Sequence, residues 1–174
     1  MKTKKQEELV NSFLSELDEA LRPIYSELIS YLSEIGYDPH KQRSYIVFKH
    51  TLHNKQMAKI GINIYKPHNP FFALRFSACR DYSQRFADIV SEAISKNPYV
   101  EPNCIAGACD YCAGTADSHV YTHIFPDGGI KFMCGSGALE IPNLAAEDTA
   151  EIKKLIKEEH EYLLKHQAGI TDQS

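Results

Sequence analysis

The feature that most constrains this chain is the segment from Cys104 to Cys134, which holds four of its five cysteines. Cys109 and Cys112 have two residues between them, the spacing of a zinc knuckle in which two thiolates reach one ion. A further 21 residues separate Cys112 from Cys134, and that stretch has the pattern of a β-hairpin. Because a hairpin returns the chain to its starting point, we expect Cys134 to lie beside the knuckle.

Zinc in a structural site takes four ligands, so a fourth residue must join these three cysteines. The nearest candidate in sequence is another cysteine, and the predicted ligands are Cys104, Cys109, Cys112 and Cys134. His119, His123 and Cys79 stay open as alternatives for the fourth position. On a strand the two histidines share a face but lie about 13 Å apart, so one ion takes at most one of them. Cys79 is expected to pack as a buried thiol.

The surrounding sequence favours a metal over disulfides. The N-terminal segment MKTKKQEELV lacks the apolar core of a secretory signal, and no run of about 18 apolar residues is present. We therefore expect a cytoplasmic protein, and clustered cysteines in the cytosol are more often metal ligands or catalytic thiols than disulfides. The odd number of cysteines, five, agrees with this.

The charge balance says little about partners. The net charge of −4 gives no electrostatic case for binding nucleic acid or an anionic membrane over a large face. A protein partner or a small acidic ligand remains open.

Periodic apolar residues predict the elements of an α+β fold. Residues 5–35 have a helical pattern that Pro23 divides into two closely coupled helices, and Gly36 is suited to end the second. Three strands, 44–52, 58–65 and 71–79, predict an antiparallel meander. Further helices are predicted at 81–97 and 147–166, and strands of a hairpin at 119–125 and 130–134.

Together these elements predict a predominantly antiparallel sheet with helices packed on one side, plus a cysteine-rich loop and hairpin unit. The sheet would have about five strands if the hairpin joins the meander. A change of composition after residue 97 predicts a body, 1–97, and a cysteine-rich region with the C-terminal helix, 98–174. We expect the two regions to pack as one compact domain.

Two groups of polar residues outside the cysteine segment also suggest ligand sites. His50 and His53 at the first hairpin suggest an anion site, but a solvated turn is the favoured interpretation. Arg75 could line a polar sheet face with Lys59 and Asn63 and bind an acidic ligand. Ion pairing of Arg75 with an acidic residue is favoured instead, the candidates being Asp81, Asp88 and Glu92. The acidic run Glu158–Glu161 is interpreted as a solvated helix face.

No common enzyme signature is present: GxGxxG, GxxxxGK[ST], GxSxG and HExxH are all absent. The predicted function is a zinc-binding protein that acts as a binding or scaffold module, with the metal structural; whether it also catalyses a reaction stays open. One alternative is a redox enzyme that uses Cys109 and Cys112, although the residues after Cys112 begin a helix poorly. The other alternative is a small-ligand sensor with a pocket on the polar sheet face.

The second half carries a series of short motifs. They are CxxCxG at Cys109–Gly114, PDG at Pro126–Gly128, CG at Cys134–Gly135, IP at Ile141–Pro142 and HEYLL at His160–Leu164. With the segment from Leu74 to Phe86 in the first half, this series resembles a family of uncharacterised bacterial proteins found mainly in Firmicutes. The resemblance implies that the cysteines form a shared site. It implies no reaction, since that family has no established activity.

Overall fold

The computed structural model describes residues 3–63, 69–96 and 120–168. The chain divides into two compact units. We call Met1–Leu74 with Glu140–Ile156 the N-terminal unit, and Arg75–Leu139 with Lys157–Ser174 the hairpin unit. The predicted division after residue 97 stays a prediction. The predicted loop at 98–118 lies outside the described residues.

The N-terminal unit begins with the coupled helix pair that the sequence predicts, α1 (Lys4–Ser15) and α2 (Arg22–Glu34). A capping box starts α1, in which the Thr3 hydroxyl accepts a hydrogen bond from the Gln6 N–H and the Gln6 side chain accepts one from the Thr3 N–H. Pro23 lies in the first turn of α2, where its missing N–H costs nothing. The Arg22 guanidinium donates to the carbonyls of Leu14 and Leu17, which joins the two helices.

A five-stranded sheet follows the helix pair, with the strand order β1-β2-β3-β4-β7. Its strands are β1 (Tyr37–Gln42), β2 (Tyr45–His50), β3 (Gln56–Ile62), β4 (Pro70–Leu74) and β7 (Leu139–Glu140). The first four form an antiparallel meander. The sequence predicted β2, β3 and β4 but neither β1 nor β7.

One face of this sheet forms the core beneath the helices. The register places Ile46, Ile60 and Phe72 side by side on adjacent strands, and all three are buried. The ring of Tyr25 on α2 packs edge-on against Phe72, with 6.2 Å between the ring centroids. Helices and an antiparallel sheet therefore share one core, which confirms the α+β class.

The hairpin unit contains α3 (Gln84–Lys96), β5 (Tyr121–Ile124) and β6 (Ile130–Met133). The apolar stripe predicted for α3 is buried at Phe86, Ile89, Val90 and Ile94. Strands β5 and β6 form a two-stranded sheet of their own and do not join the meander, so β1 and β7 complete the larger sheet instead.

The chain then makes a short 3₁₀ turn, Ala146–Asp148, and continues into α4 (Thr149–Ala168). This helix agrees with the one predicted at 147–166. No helix in the described ranges is both long enough and apolar enough to cross a membrane.

Candidate metal centre

Among the four predicted zinc ligands, Cys134 is the one that the structure describes. Cys104, Cys109 and Cys112 lie outside the described residues, as does His119. Cys134 directly follows β6, is half-buried, and has its Sγ 3.1 Å from the Ser136 hydroxyl. Because Tyr121 pairs with Met133, Cys134 lies at the open end of the hairpin, the end at which the chain enters β5.

The turn that carries Cys134 is held by two buried side chains. The Ser77 hydroxyl donates to the Gly135 carbonyl at 2.9 Å, and the Tyr121 hydroxyl donates to the Gly137 carbonyl at 3.0 Å. Ser77 is 1% exposed and Tyr121 2%. A turn tied at two carbonyls by groups that packing has already fixed has little freedom to move. The backbone that carries Cys134 is therefore positioned by the interior of the unit.

A buried ion pair supports the same turn. Arg75 Nε donates to Glu159 Oε1 at 2.6 Å, and the Ala78 N–H donates to Glu159 Oε2 at 2.8 Å. Ser77 Oγ lies 3.4 Å from the same carboxylate, so the pair adjoins the hydroxyl that anchors Gly135. The Arg75 and Glu159 side chains are 3% and 0% exposed.

Two sequence interpretations are corrected by this pair. The run Glu158–Glu161 is not solvated throughout, since Glu159 is fully buried. Arg75 is buried too and does not line an exposed polar sheet face. Its ion pair is with Glu159, a residue that the sequence interpretation did not consider.

The burial of Tyr121 and Cys79 fixes their protonation. Burial, together with the nearby Glu159 carboxylate, raises the pKa of the Tyr121 hydroxyl well above its ordinary value, so it remains a neutral donor. Burial, with the Glu159 and Glu158 carboxylates, also raises the pKa of the Cys79 thiol. Zinc binds the thiolate form, so a zinc ion at Cys79 would have to displace a proton that this thiol holds more tightly than an exposed cysteine does. Its expected burial is confirmed at 2% exposure.

The His123 ring forms a hydrogen bond to a residue of α3. Its Nε2 lies 3.1 Å from the Ser91 hydroxyl, and its ring packs edge-on against Phe125. It pairs across the hairpin with Lys131, three residues before Cys134, which corresponds to about 10 Å along the strand. Two ligand atoms on one zinc ion are no more than about 4 Å apart. His123 is therefore not placed to share an ion with Cys134.

The His50–His53 pair in the N-terminal unit is buried, so the interpretation as a solvated turn is wrong. The two rings are 7% and 9% exposed and stack with 4.2 Å between centroids. The Leu52 N–H donates to His50 Nδ1 and the Lys55 N–H donates to His53 Nδ1. A neutral imidazole whose Nδ1 accepts a hydrogen bond carries its proton on Nε2. These rings stabilise the β2–β3 turn, and a metal at Nε2 would require both hydrogen bonds to break.

The sequence contains one signal that could have located Glu159. The buried apolar residues of α4 include Ile152, Ile156 and Leu163. Glu159 lies between the last two, so the four positions are separated by steps of four, three and four. A lone carboxylate on an apolar stripe indicates a buried partner. Nothing comparable distinguishes Ser77 or Tyr121.

Comparison with family models, curated proteins and solved structures gives no match to this chain.

Proposed function

We propose that this protein is a zinc-binding scaffold or binding module in which Cys104, Cys109, Cys112 and Cys134 hold one structural zinc ion. The observation that carries the proposal is the set of buried polar side chains that supports the Cys134 turn, namely Ser77, Tyr121, Arg75 and Glu159. A buried ion pair is a weak contributor to net stability, and fixing the position of a group is one use of such a pair. Here the ion pair adjoins Ser77, whose hydroxyl donates to the carbonyl of Gly135, the residue that follows Cys134.

The small size of the hairpin also supports a metal. Strands β5 and β6 have four residues each, and an isolated two-stranded hairpin is marginally stable in water. Structural zinc contributes on the order of 10–16 kcal/mol to the folding of small domains. Cys112 precedes Val120 by eight positions, so the chain spans at most about 28 Å between them. That reach is sufficient for the knuckle to meet Cys134 at the open end of the hairpin.

Metal analysis of the purified full chain tests the proposal. We expect one zinc per chain, and we expect Cys134→Ser to lose it. The matched control is Cys79→Ala, which changes a cysteine of the same unit whose thiol is buried and protonated, and which should retain the zinc. Thiol titration should find the ligand cysteines unreactive until a chelator is added, because zinc-bound thiolates are shielded.

Retention of zinc by the Cys134→Ser chain would contradict the proposed ligand set. A metal-free protein with a disulfide between Cys109 and Cys112 would instead favour the redox enzyme. Replacement of Cys104 alone decides the fourth position, since unchanged zinc affinity in that variant would remove it from the ligands.

A further inference from the structure

A groove in the N-terminal unit lies between α1 and the strands β1, β2 and β3. Its volume is about 580 Å³, which is within the range of small-molecule sites. Its accessible apolar surface comes from Leu9 of α1 and from Tyr45 and Ile62 of the sheet, each of which is half-buried. Phe13, Ile46 and Ile60 also line the groove but are buried in the core, so packing holds this part of its wall in place.

Two side chains of opposite charge line the same groove. Glu16 follows the last residue of α1, and Lys41 lies on β1. Both are exposed, and within the described residues neither forms an ion pair. An apolar floor with one anion and one cation selects against a fatty acid, which Glu16 would repel, and against an apolar amine, which Lys41 would repel.

We propose that this groove binds a short apolar peptide with free termini. The peptide carboxylate pairs with Lys41, the peptide ammonium pairs with Glu16, and the apolar side chains cover the half-buried Leu9, Tyr45 and Ile62. A peptide suits the site better than a single amino acid because the groove is large enough for a drug-sized ligand. This site is separate from the cysteines, and the proposal goes beyond the proposed zinc function.

Calorimetry with the dipeptide Leu-Phe and the full chain tests this inference. We expect saturable binding of Leu-Phe at millimolar concentration or below. The dipeptide amide should bind about three- to tenfold more weakly, because it lacks the carboxylate for Lys41. The N-acetyl dipeptide should show a similar loss, because it lacks the ammonium for Glu16.

Charge-removing variants then assign each contact. Lys41→Gln should weaken the free dipeptide about three- to tenfold and should not weaken the amide further, and Glu16→Gln should behave in the same way toward the N-acetyl form. The matched control is Lys5→Gln, also in the N-terminal unit, because Lys5 is an exposed lysine of α1 that does not line the groove. Its affinity for Leu-Phe should be unchanged.

A steric variant checks the location of the site without altering the core. Ser12 is exposed on α1 and lines the groove, so Ser12→Trp should abolish binding while the circular dichroism spectrum and the thermal midpoint are preserved. Absence of Leu-Phe binding to the native chain would overturn the inference. Binding that is unaffected by Lys41→Gln, Glu16→Gln and Ser12→Trp would overturn it equally. The zinc content should be the same in all these variants, which keeps this result independent of the metal proposal.

Discussion

At the scale of single residues, position 36 requires glycine for two reasons, its backbone conformation and the closeness of a neighbouring side chain. It ends α2 with a φ of +93°, a conformation that side-chain-bearing residues rarely adopt. A Cβ at this position would also lie 2.9 Å from His50 Nε2. The first requirement was predictable, because glycine commonly follows the end of a helix. The second depends on a residue 14 positions away, and no local pattern reveals it.

We expect Gly36→Ala to be more destabilising than Gly128→Ala. Both glycines have positive φ, but a Cβ at Gly128 would meet nothing within 4 Å. Gly128→Ala should therefore cost about 1 kcal/mol of unfolding free energy from backbone strain alone. Gly36→Ala should cost about 2–4 kcal/mol, because displacement of the His50 ring adds to that strain. Urea denaturation measures both, and equal losses would show that the ring adjusts without cost.

At the scale of elements, the ion pair between Arg75 and Glu159 connects the residue after β4 to the middle of α4. Removal of one partner leaves the other charged, buried and uncompensated. The free energy of the native state is therefore more sensitive to single replacement at this pair than to a paired replacement by neutral groups.

Arg75→Met should lower the unfolding free energy by about 3–5 kcal/mol, since the Glu159 carboxylate stays buried without its cation. The double variant Arg75→Met with Glu159→Gln should recover much of that loss. Glutamine keeps an oxygen that can accept the hydrogen bond from the Ala78 N–H. A double-mutant cycle by urea denaturation measures the coupling. Additive losses would mean that the two side chains do not interact in solution.

The elements that the sequence missed have physical reasons for their weak signals. Strand β1 contains Pro39 and lacks apolar alternation, but it lies first in the strand order, and proline is tolerated in edge strands. Strand β7 has two residues, too few for any periodicity. The longer strands and helices were predictable because each buries one periodic face. Pairings made across the chain, such as Glu159 with Arg75, carry no such local pattern.

At the scale of the whole molecule, four acidic groups share one electrostatic property. Burial raises the pKa values of Tyr25, Cys79, Tyr82 and Tyr121 above their ordinary values. As the pH rises, the unfolded chain loses these protons before the folded chain does. The native state then binds more protons than the unfolded state, and its stability falls with increasing pH.

We therefore expect the unfolding free energy to be insensitive to these groups near neutral pH. It should then fall from about pH 8.5, where an unfolded cysteine titrates, and fall more steeply near pH 10, where unfolded tyrosines titrate. Urea denaturation at several pH values measures this dependence. Tyr25→Phe removes one of the four titrations and should reduce the alkaline loss. An unchanged slope in that variant would show that Tyr25 does not contribute.

The N-terminal unit is assembled from two stretches of chain, with residues 75–139 between them. The Ile141 N–H donates to the Phe72 carbonyl at 2.9 Å and so covers the edge of β4. On a ribosome, the segment that contains Ile141 is synthesised about 3–13 seconds after β4, at ordinary rates of elongation. The nascent chain therefore carries an open sheet edge throughout this interval, and such an edge is a template for aggregation.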